Sequence, residues 1–315
     1  MKVSVVIPVF NEVGNLSILQ QRLNAVLQKL SLDYEIIYVD DGSFDASPDE
    51  LERLYREYQN VKVITLTGNY GQTQALAAGI DITTGEVVVT LDADLQNDPS
   101  DIPAILAKLE EGYDVVSGWR VKRKDNLFSK RIPSYVANSI SSLITNVRLH
   151  DLGCSLKGYK RNVLERIEFY SGIHRFLPLC AVINGAKITE ISVKHHPRLH
   201  GKTKYGISRI FKVILDMFTI ILMWKFASRP ISVLGKLGIT CLCLSGLLGV
   251  FIVIRKLSYG GVWVSPLLFI FVIFFVLGTQ FILMGMLAEL VINVNYGNRN
   301  QKRYRVKKVL GNGNL

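Results

Sequence analysis

The stretch "EVVVTLDADLQNDP", residues Glu86 to Pro99, decides the fold class. Three consecutive valines are typical of a strand buried on both faces, and Asp92 and Asp94 follow where that strand is expected to end. Two carboxylates one residue apart repel each other unless a positive charge lies between them. The stretch is therefore either a solvated turn or a site that holds a cation.

Similar β-branched runs recur through the first 120 residues and alternate with helical patterns. Val- and Ile-rich strands separated by helices predict a mostly parallel sheet covered on both faces, which is a Rossmann-like α/β fold. The predicted strands cover residues 3–9, 34–40, 61–67, 86–92 and 113–119, and less regular strand patterns follow in "DLGCSLKGYKR" and "AKITEISVKHHPR".

Polar clusters follow the first two predicted strands, and ligands of such sheets bind at the carboxyl ends of the strands. "PVFNE" contains Pro8 and Glu12, and "VDDGSFD" contains Asp40 and Asp41. For the two aspartates, two interpretations stay open: a turn that caps the next helix, or a carboxylate that accepts hydrogen bonds from a nucleobase or ribose. The absence of GxGxxG and GxxxxGK[ST] patterns disfavours dinucleotide and P-loop binding.

The aspartates of "DADLQ" provide the hard oxygen ligands that Mg²⁺ and Mn²⁺ prefer. Asp92 and Asp94 are expected to project to the same side, with Gln96 nearby. A divalent cation held there would neutralise a departing diphosphate. Asp98 and Pro99 are instead predicted to form the cap and first turn of the next helix.

The C-terminal third predicts two transmembrane helices. Leu237–Ile254 is an uncharged run of 18 residues and Val262–Ala288 one of 27, and a bilayer core requires roughly 20 helical residues. Between residues 205 and 230 charged and apolar residues mix, as in an interfacial helix. The predicted segments are a catalytic domain (1–204), juxtamembrane helices (205–230), a two-helix membrane domain (231–292) and a basic tail (293–315). Two spans place both termini on one side, and the basic tail predicts that this side is cytoplasmic.

Composition agrees with a membrane protein that binds anions. The formal net charge is +11, 49% of residues are hydrophobic, and the mean hydropathy is +0.26. The basic stretch "RVKRK" has almost no interleaved aromatic residues, so nucleic-acid binding is not expected. Four cysteines without CxxC spacing predict free, buried thiols.

The ordered motifs resemble a known family. "VSVVIPVFNE", "IIYVDDGSFD", "NYGQTQALAAG" and "VTLDADLQNDP" resemble family 2 of the nucleotide-sugar glycosyltransferases, which have the GT-A fold. "DLGCSLKGYKR" and "RLHGKTKYG", followed by two spans, are similar to the polyprenyl-phosphate glycosyltransferases of that family. These include dolichyl-phosphate mannose synthases and bacterial polyprenyl-phosphate glucosyltransferases.

The resemblance assigns roles to individual residues. The nucleobase and ribose are implied to contact Pro8, Glu12, Asp40 and Asp41. The metal and diphosphate are implied to contact Asp92, Asp94 and Gln96. The lipid phosphate is implied to contact Arg120, Arg131 and Ser134. Arg198 and Lys204 are implied to make further phosphate contacts. Asp151 matches an aspartate that acts either as a base or as an organiser of the acceptor.

The implied reaction is an inverting, metal-dependent transfer of a hexose from a nucleotide sugar to a polyprenyl phosphate. A phosphate monoester is already an anion, so catalysis rests on orientation and charge more than on a base. The residues expected to carry it are Asp94, Arg120, Arg131 and Asp151. UDP-glucose is the favoured donor and GDP-mannose the alternative, in a bacterial or archaeal plasma membrane. A homo-oligomer is left open.

Two departures from the family pattern stand out. Leu156-Lys157 replaces the usual Phe-Arg, which removes a bidentate cation. The second span ends in "AELVINVNYG" instead of a Gly-Glu-Tyr-Ile-Gly-Arg-like sequence. A processive polysaccharide synthase is disfavoured because a QxxRW element is absent, and a non-catalytic flippase partner because the Asp92, Asp94 and Gln96 set is intact.

Overall fold

A computed structural model describes residues 1–121, 149–167, 169, 172–197, 230–260, 265–296 and 303–311. It divides into two compact units, one of residues Met1–Met217 with Lys302–Leu315 and the other of Phe218–Gln301. Four predicted site residues lie outside the described residues, as does almost all of the predicted juxtamembrane segment. These residues are Arg131, Ser134, Arg198 and Lys204.

The first unit is built on one sheet, to which the described residues contribute eight strands. They are β1 (Lys2–Val9), β2 (Asp33–Asp40), β3 (Val61–Leu66), β4 (Val87–Thr90), β5 (Val115–Trp119), β6 (Lys157–Lys160), β7 (Ile188–Ser192) and β8 (Val306–Leu310). Their order is β7-β5-β6-β4-β1-β2-β3-β8. Only β6 and β8 run antiparallel to their neighbours. The mostly parallel sheet confirms the predicted fold class.

Six helices of the first unit connect these strands in the described residues. They are α1 (Val13–Leu27), α2 (Ser47–Glu57), α3 (Gln72–Asp81), α4 (Ile102–Glu110), α5 (Arg161–Leu164) and α6 (Leu177–Ile183). A 3-10 turn over Pro99–Asp101 precedes α4, and the Asp98 side chain caps it by accepting a hydrogen bond from Ser100 N at 2.9 Å. The predicted role of Asp98 and Pro99 is confirmed.

Both faces of the sheet are buried, as the Val-rich strands predicted. In β4, Val87 and Val89 pack into the core beneath α1, α2 and α4, whereas Val88 packs into the core beneath α3 and α6. This is the two-residue period of a pleated strand. Strand β4 ends at Thr90 rather than at residue 92, so Asp92 and Asp94 lie beyond the ladder, at the carboxyl edge.

The strand β8 was not predicted. Its residues fall in the segment that the sequence indicated as a basic tail, yet they pair antiparallel with β3, from Val63↔Leu310 to Leu66↔Val306. The added strand covers an edge that would otherwise present unpaired N–H and C=O groups. The chain segments that precede and follow the apolar helices therefore belong to one sheet.

The second unit contains the two apolar helices α7 (Pro230–Tyr259) and α8 (Pro266–Tyr296). Segments of 29 and 26 residues within them are long and apolar enough to cross a membrane. They form an antiparallel pair that meets at glycines: a Cβ on Gly238 would lie 2.8 Å from Gly278 O, and one on Gly278 would lie 2.9 Å from Gly238 O. Such close backbone approach is typical of membrane helix pairs.

Candidate active site

The turns after β1 and β2 interlock at the carboxyl edge of the sheet. Asn11, at φ 55°, donates its N–H to Ser43 Oγ (2.9 Å) and accepts a hydrogen bond from Phe44 N at Oδ1 (3.0 Å). Asp40 accepts a hydrogen bond from Ser43 N at 3.0 Å. Asp40 therefore takes part in a turn, which is the first of the two interpretations given for this residue. Pro8 lies within β1, beside Val39.

Asp41 is buried and holds a loop from the neighbouring strand. Its Oδ1 accepts a hydrogen bond from Tyr70 N (2.7 Å) and its Oδ2 one from Gly71 N (2.9 Å). Burial raises the pKa of Asp41 above its ordinary value and the charge of Asp40 adds to the rise, although the two amides oppose it. One carboxylate therefore joins the turn after β2 to the loop after β3.

Gly42 makes this junction possible. Its φ is +70°, and a Cβ there would lie 2.5 Å from the backbone carbon of Gly68. Only glycine fits both the conformation and the contact. Nearby, Glu12 accepts a hydrogen bond from the Asn15 side chain at 2.5 Å. The predicted nucleobase residues therefore lie in, or directly after, the ends of the neighbouring strands β1 and β2.

The predicted metal residues lie on the next turn along the edge. Gln72, the first residue of α3, donates from Nε2 to Asp92 Oδ1 at 2.6 Å. Asp94 is 8% exposed and accepts a hydrogen bond from Gln96 N at 3.2 Å. Burial raises the pKa of Asp92, and the negative charge of Asp94 raises it further.

This donor set fits a divalent cation. Burial and the negative charge of Asp94 both disfavour the ionised form of Asp92. A cation between the two carboxylates would relieve both effects. Among the residues that the structure describes, no cluster of three or more His, Cys, Asp or Glu side chains forms a closed metal site.

A cationic cluster lies close enough to act on Asp92. Arg120 binds Asp151 through two bonds, Nε to Oδ2 at 2.6 Å and Nη2 to Oδ1 at 2.8 Å. Both side chains are largely buried, at 10% and 5% exposed. The charges of Arg120 and Lys157 both favour the ionised form of Asp92. The structure thus brings Asp92, Asp94, Arg120 and Asp151 together.

Lys157 is a site residue that the sequence indicated only as a departure from the family pattern. It is 3% exposed, and its Nζ donates to two carbonyls, Leu152 O at 3.1 Å and Arg175 O at 3.3 Å. Burial lowers the pKa of Lys157 to about 8. A charged residue at the start of a buried strand was the available signal.

Further supporting residues were not predicted. Ser155 Oγ accepts hydrogen bonds from Asp92 N (3.3 Å) and Asn97 Nδ2 (2.8 Å). Glu190 on β7 accepts the backbone N–H groups of His150 (2.9 Å) and Asp151 (3.3 Å) and so holds the turn that carries Asp151. No local pattern marks these residues, because their partners are distant in sequence.

The profile of glycosyl transferase family 2 matches residues 4–168, and the chain belongs to this family. It is 37% identical to the dodecaprenyl-phosphate galacturonate synthase of Rhizobium johnstonii, over 98% of this chain and 93% of that protein. It is 35% identical to the undecaprenyl-phosphate 4-deoxy-4-formamido-L-arabinose transferase of an Enterobacter species, over 100% of this chain and 95% of that protein.

The predicted resemblance to polyprenyl-phosphate glycosyltransferases is thereby confirmed. The fold agrees with GT-A structures. Glucosyl-3-phosphoglycerate synthase from Mycobacterium tuberculosis, solved with Mn²⁺, UDP and phosphoglyceric acid, superposes with a TM-score of 0.55 at 18% identity, over 71% of this chain and 78% of that one. The sugars named in the two relatives are galacturonate and a formamido-arabinose, not glucose, so the preference for glucose loses its support.

Proposed function

We propose that the protein transfers a sugar from a nucleotide donor to a polyprenyl phosphate, with inversion at the anomeric carbon. The observation that carries the proposal is the cluster at the carboxyl edge, where Asp92 lies beside Asp94 and within electrostatic reach of Arg120 and Lys157. Acidic and basic groups in one site suit a reaction between a metal-bound diphosphate and an anionic acceptor.

The donor half of the site consists of the first two turns and the metal residues. Pro8, Glu12, Asp40 and Asp41 would surround the nucleobase and ribose. Asp92, Asp94 and Gln96 would hold Mg²⁺ or Mn²⁺, which when bound neutralises the leaving diphosphate. UDP is the proposed nucleotide because a GT-A structure of the same fold contains UDP with Mn²⁺.

The acceptor half is organised by Arg120 and Asp151. A phosphate monoester carries its own negative charge, so its oxygen attacks with little help from a base. Both Asp151 oxygens are bound by Arg120, which supports the role of an organiser over that of a base. Arg131, Ser134, Arg198 and Lys204 are proposed phosphate contacts from the family resemblance alone.

For the sugar, the relatives favour galacturonate or 4-deoxy-4-formamido-L-arabinose. GDP-mannose is the competing donor. The two apolar helices would anchor the enzyme in a bacterial plasma membrane, with the catalytic domain and both termini in the cytoplasm. A homo-oligomer stays an untested prediction.

The test is a transfer assay with the purified full-length protein, polyprenyl phosphate, Mg²⁺ or Mn²⁺, and radiolabelled UDP-sugars and GDP-mannose. We expect label in the lipid phase with either UDP-galacturonate or UDP-4-deoxy-4-formamido-L-arabinose, and no label after EDTA. Asp94→Asn should abolish transfer, whereas Asp49→Asn, an exposed carboxylate on α2, should not. Absence of lipid-phase label with every donor would support the alternative, a non-catalytic membrane partner.

A further inference from the structure

We propose that the strand β8 positions the loop that builds the donor site, and so sets the affinity for the nucleotide sugar. This donor loop comprises residues Thr67–Gln72. The inference rests on the proposed function, because it takes Asp41 and Asp92 to be donor-site residues.

The first step is the contact between β8 and the donor loop. The ladder of β3 with β8 shifts register between Thr65 and Leu66. Beyond it, Thr67 N donates to Arg305 O at 3.0 Å. The segment before β8 thus continues the pairing past the end of β3 and fixes the residue at which the donor loop begins.

The second step is the contact between the donor loop and the site. Tyr70 N and Gly71 N bind the two oxygens of Asp41, and Gln72 Nε2 binds Asp92 Oδ1. Within the loop, the hydroxyl groups of Thr67 and Tyr70 lie 2.7 Å apart. The six residues of the donor loop therefore join β8 to Asp41, a proposed nucleobase or ribose contact, and to Asp92, a proposed metal ligand.

A second contact between the C-terminal segment and the sheet unit lies at the far end of α3. Tyr304 is 6% exposed, and its hydroxyl group donates to Asp81 Oδ2 at 2.5 Å. Helix α3 begins at Gln72 and ends at Asp81. The segment 304–306 consequently holds the donor loop at its start and the following helix at its end, and Gln72 lies between the two anchors.

The consequence is a specific kinetic signature. The donor loop contacts Asp41 through Tyr70 N and Gly71 N and contacts Asp92 through the Gln72 side chain, and both carboxylates belong to the proposed donor half of the site. Loosening β8 should therefore raise the KM for the nucleotide sugar while leaving the KM for polyprenyl phosphate unchanged. A general loss of stability would not separate the two constants.

The experiment compares two pairs of variants, one pair of C-terminal deletions and one pair of point substitutions. Deletion of residues 303–315 removes β8, and deletion of 312–315 is its matched control because it leaves β8 intact. Tyr304→Phe removes the buried bond to Asp81 and keeps the ring, whereas Lys308→Gln, on β8, removes only an exposed ion pair with Glu52 on α2. Donor and acceptor KM are measured, together with hydrogen exchange of residues 67–74 in the ligand-free protein.

We expect Tyr304→Phe to raise the donor KM about threefold to tenfold, as the loss of one buried hydrogen bond does. Removal of β8 should raise it further and speed exchange at Tyr70 and Gly71, and both controls should match the wild type. If Tyr304→Phe leaves the donor KM and the exchange unchanged, the inference is wrong, whether or not the longer deletion folds.

The exchange measurement separates this inference from the proposed function. If the wild-type protein transfers no sugar, the proposed function fails. Exchange at Tyr70 and Gly71 in Tyr304→Phe still shows whether β8 orders the loop. Normal exchange there overturns the inference by itself.

Discussion

Arg120 and Asp151 form a bidentate ion pair in a largely buried position, with both carboxylate oxygens bound to one guanidinium group. Planar bidentate pairing fixes the orientation of the cation as well as its charge. Each side chain of the pair therefore fixes the position of the other.

The first prediction follows from this geometry. Arg120→Lys keeps the charge but loses the two parallel bonds, so we expect the kcat to fall about 10- to 100-fold, a loss of orientation. Arg161→Lys changes an exposed pair with Glu165 (3.0 Å) and should leave the kcat unchanged. Equal rates for Arg120→Lys and the wild type would show that bidentate geometry is irrelevant to transfer.

The second prediction concerns Lys157. Its pKa is about 8 when folded and ordinarily 10.5, so the unfolded chain binds more protons between these values. The unfavourable contribution of the buried charge is complete below about pH 8 and disappears as the pH rises towards 10.5. Lys157→Met should thus keep or raise the melting temperature at pH 7, yet lower the kcat because Asp92 loses a nearby cation.

Melting curves and rates on the same preparation check this prediction. A Lys157→Met protein that is markedly less stable would indicate that the two hydrogen bonds to Leu152 O and Arg175 O outweigh the burial of the charge. An unchanged kcat would show that Lys157 does not contribute to the reaction.

The third prediction concerns Glu35, away from the candidate site. Burial opposes ionisation of this carboxyl group, but Lys62, Ser4 and Thr84 outweigh it and hold the pKa of Glu35 below 4.5. A lowered pKa stabilises the fold at pH values above the ordinary value, and this stabilisation is lost as the pH falls through the folded-state pKa. Glu35→Gln should cost about 1–3 kcal/mol at pH 7.

Thermal melting between pH 3 and pH 7 tests this directly. The difference in melting temperature between the wild type and Glu35→Gln should shrink towards acid pH, while the KM values of the two proteins at pH 7 stay equal. A difference that does not change with pH would assign the effect to packing instead of charge.

The fourth prediction concerns the helix pair. A Cβ on Gly278 would lie 2.9 Å from Gly238 O, a backbone atom, whereas a Cβ on Gly246 meets nothing within 4 Å. Gly278→Ala should therefore separate the helices and lower the thermal stability of the membrane unit, and Gly246→Ala should not. Both can be measured by unfolding of the detergent-solubilised protein; equal stability of the two variants contradicts the glycine contact.

The sequence predicted the sheet well because buried parallel strands leave a strong pattern. Runs such as Val87–Thr90 are β-branched and end in polar turns, so both the strands and the position of Asp92 and Asp94 could be recognised. The helix capped at Asp98 and the two apolar helices followed from equally local signals.

What escaped prediction depends on contacts between distant parts of the chain. The strand β8 reads "VKKVL" inside a basic segment, and its pairing with β3 spans more than 240 residues. Gln72, Ser155 and Glu190 lie in stretches whose pattern was recognised, but their roles come only from partners that the fold brings close. The sugar was misjudged because the motifs that carried the resemblance are those assigned to the nucleotide and the metal, which many donors share.

The position of β8 in the chain also bears on biosynthesis. Residues 306–310 leave the ribosome only after both apolar helices have been made. If the two helices cross a membrane as proposed, a failure of one of them to insert would leave β8 on the opposite side of the bilayer from β3, where the two strands could not pair. Such a chain would keep β3 as an unpaired strand edge, which can pair with other chains instead.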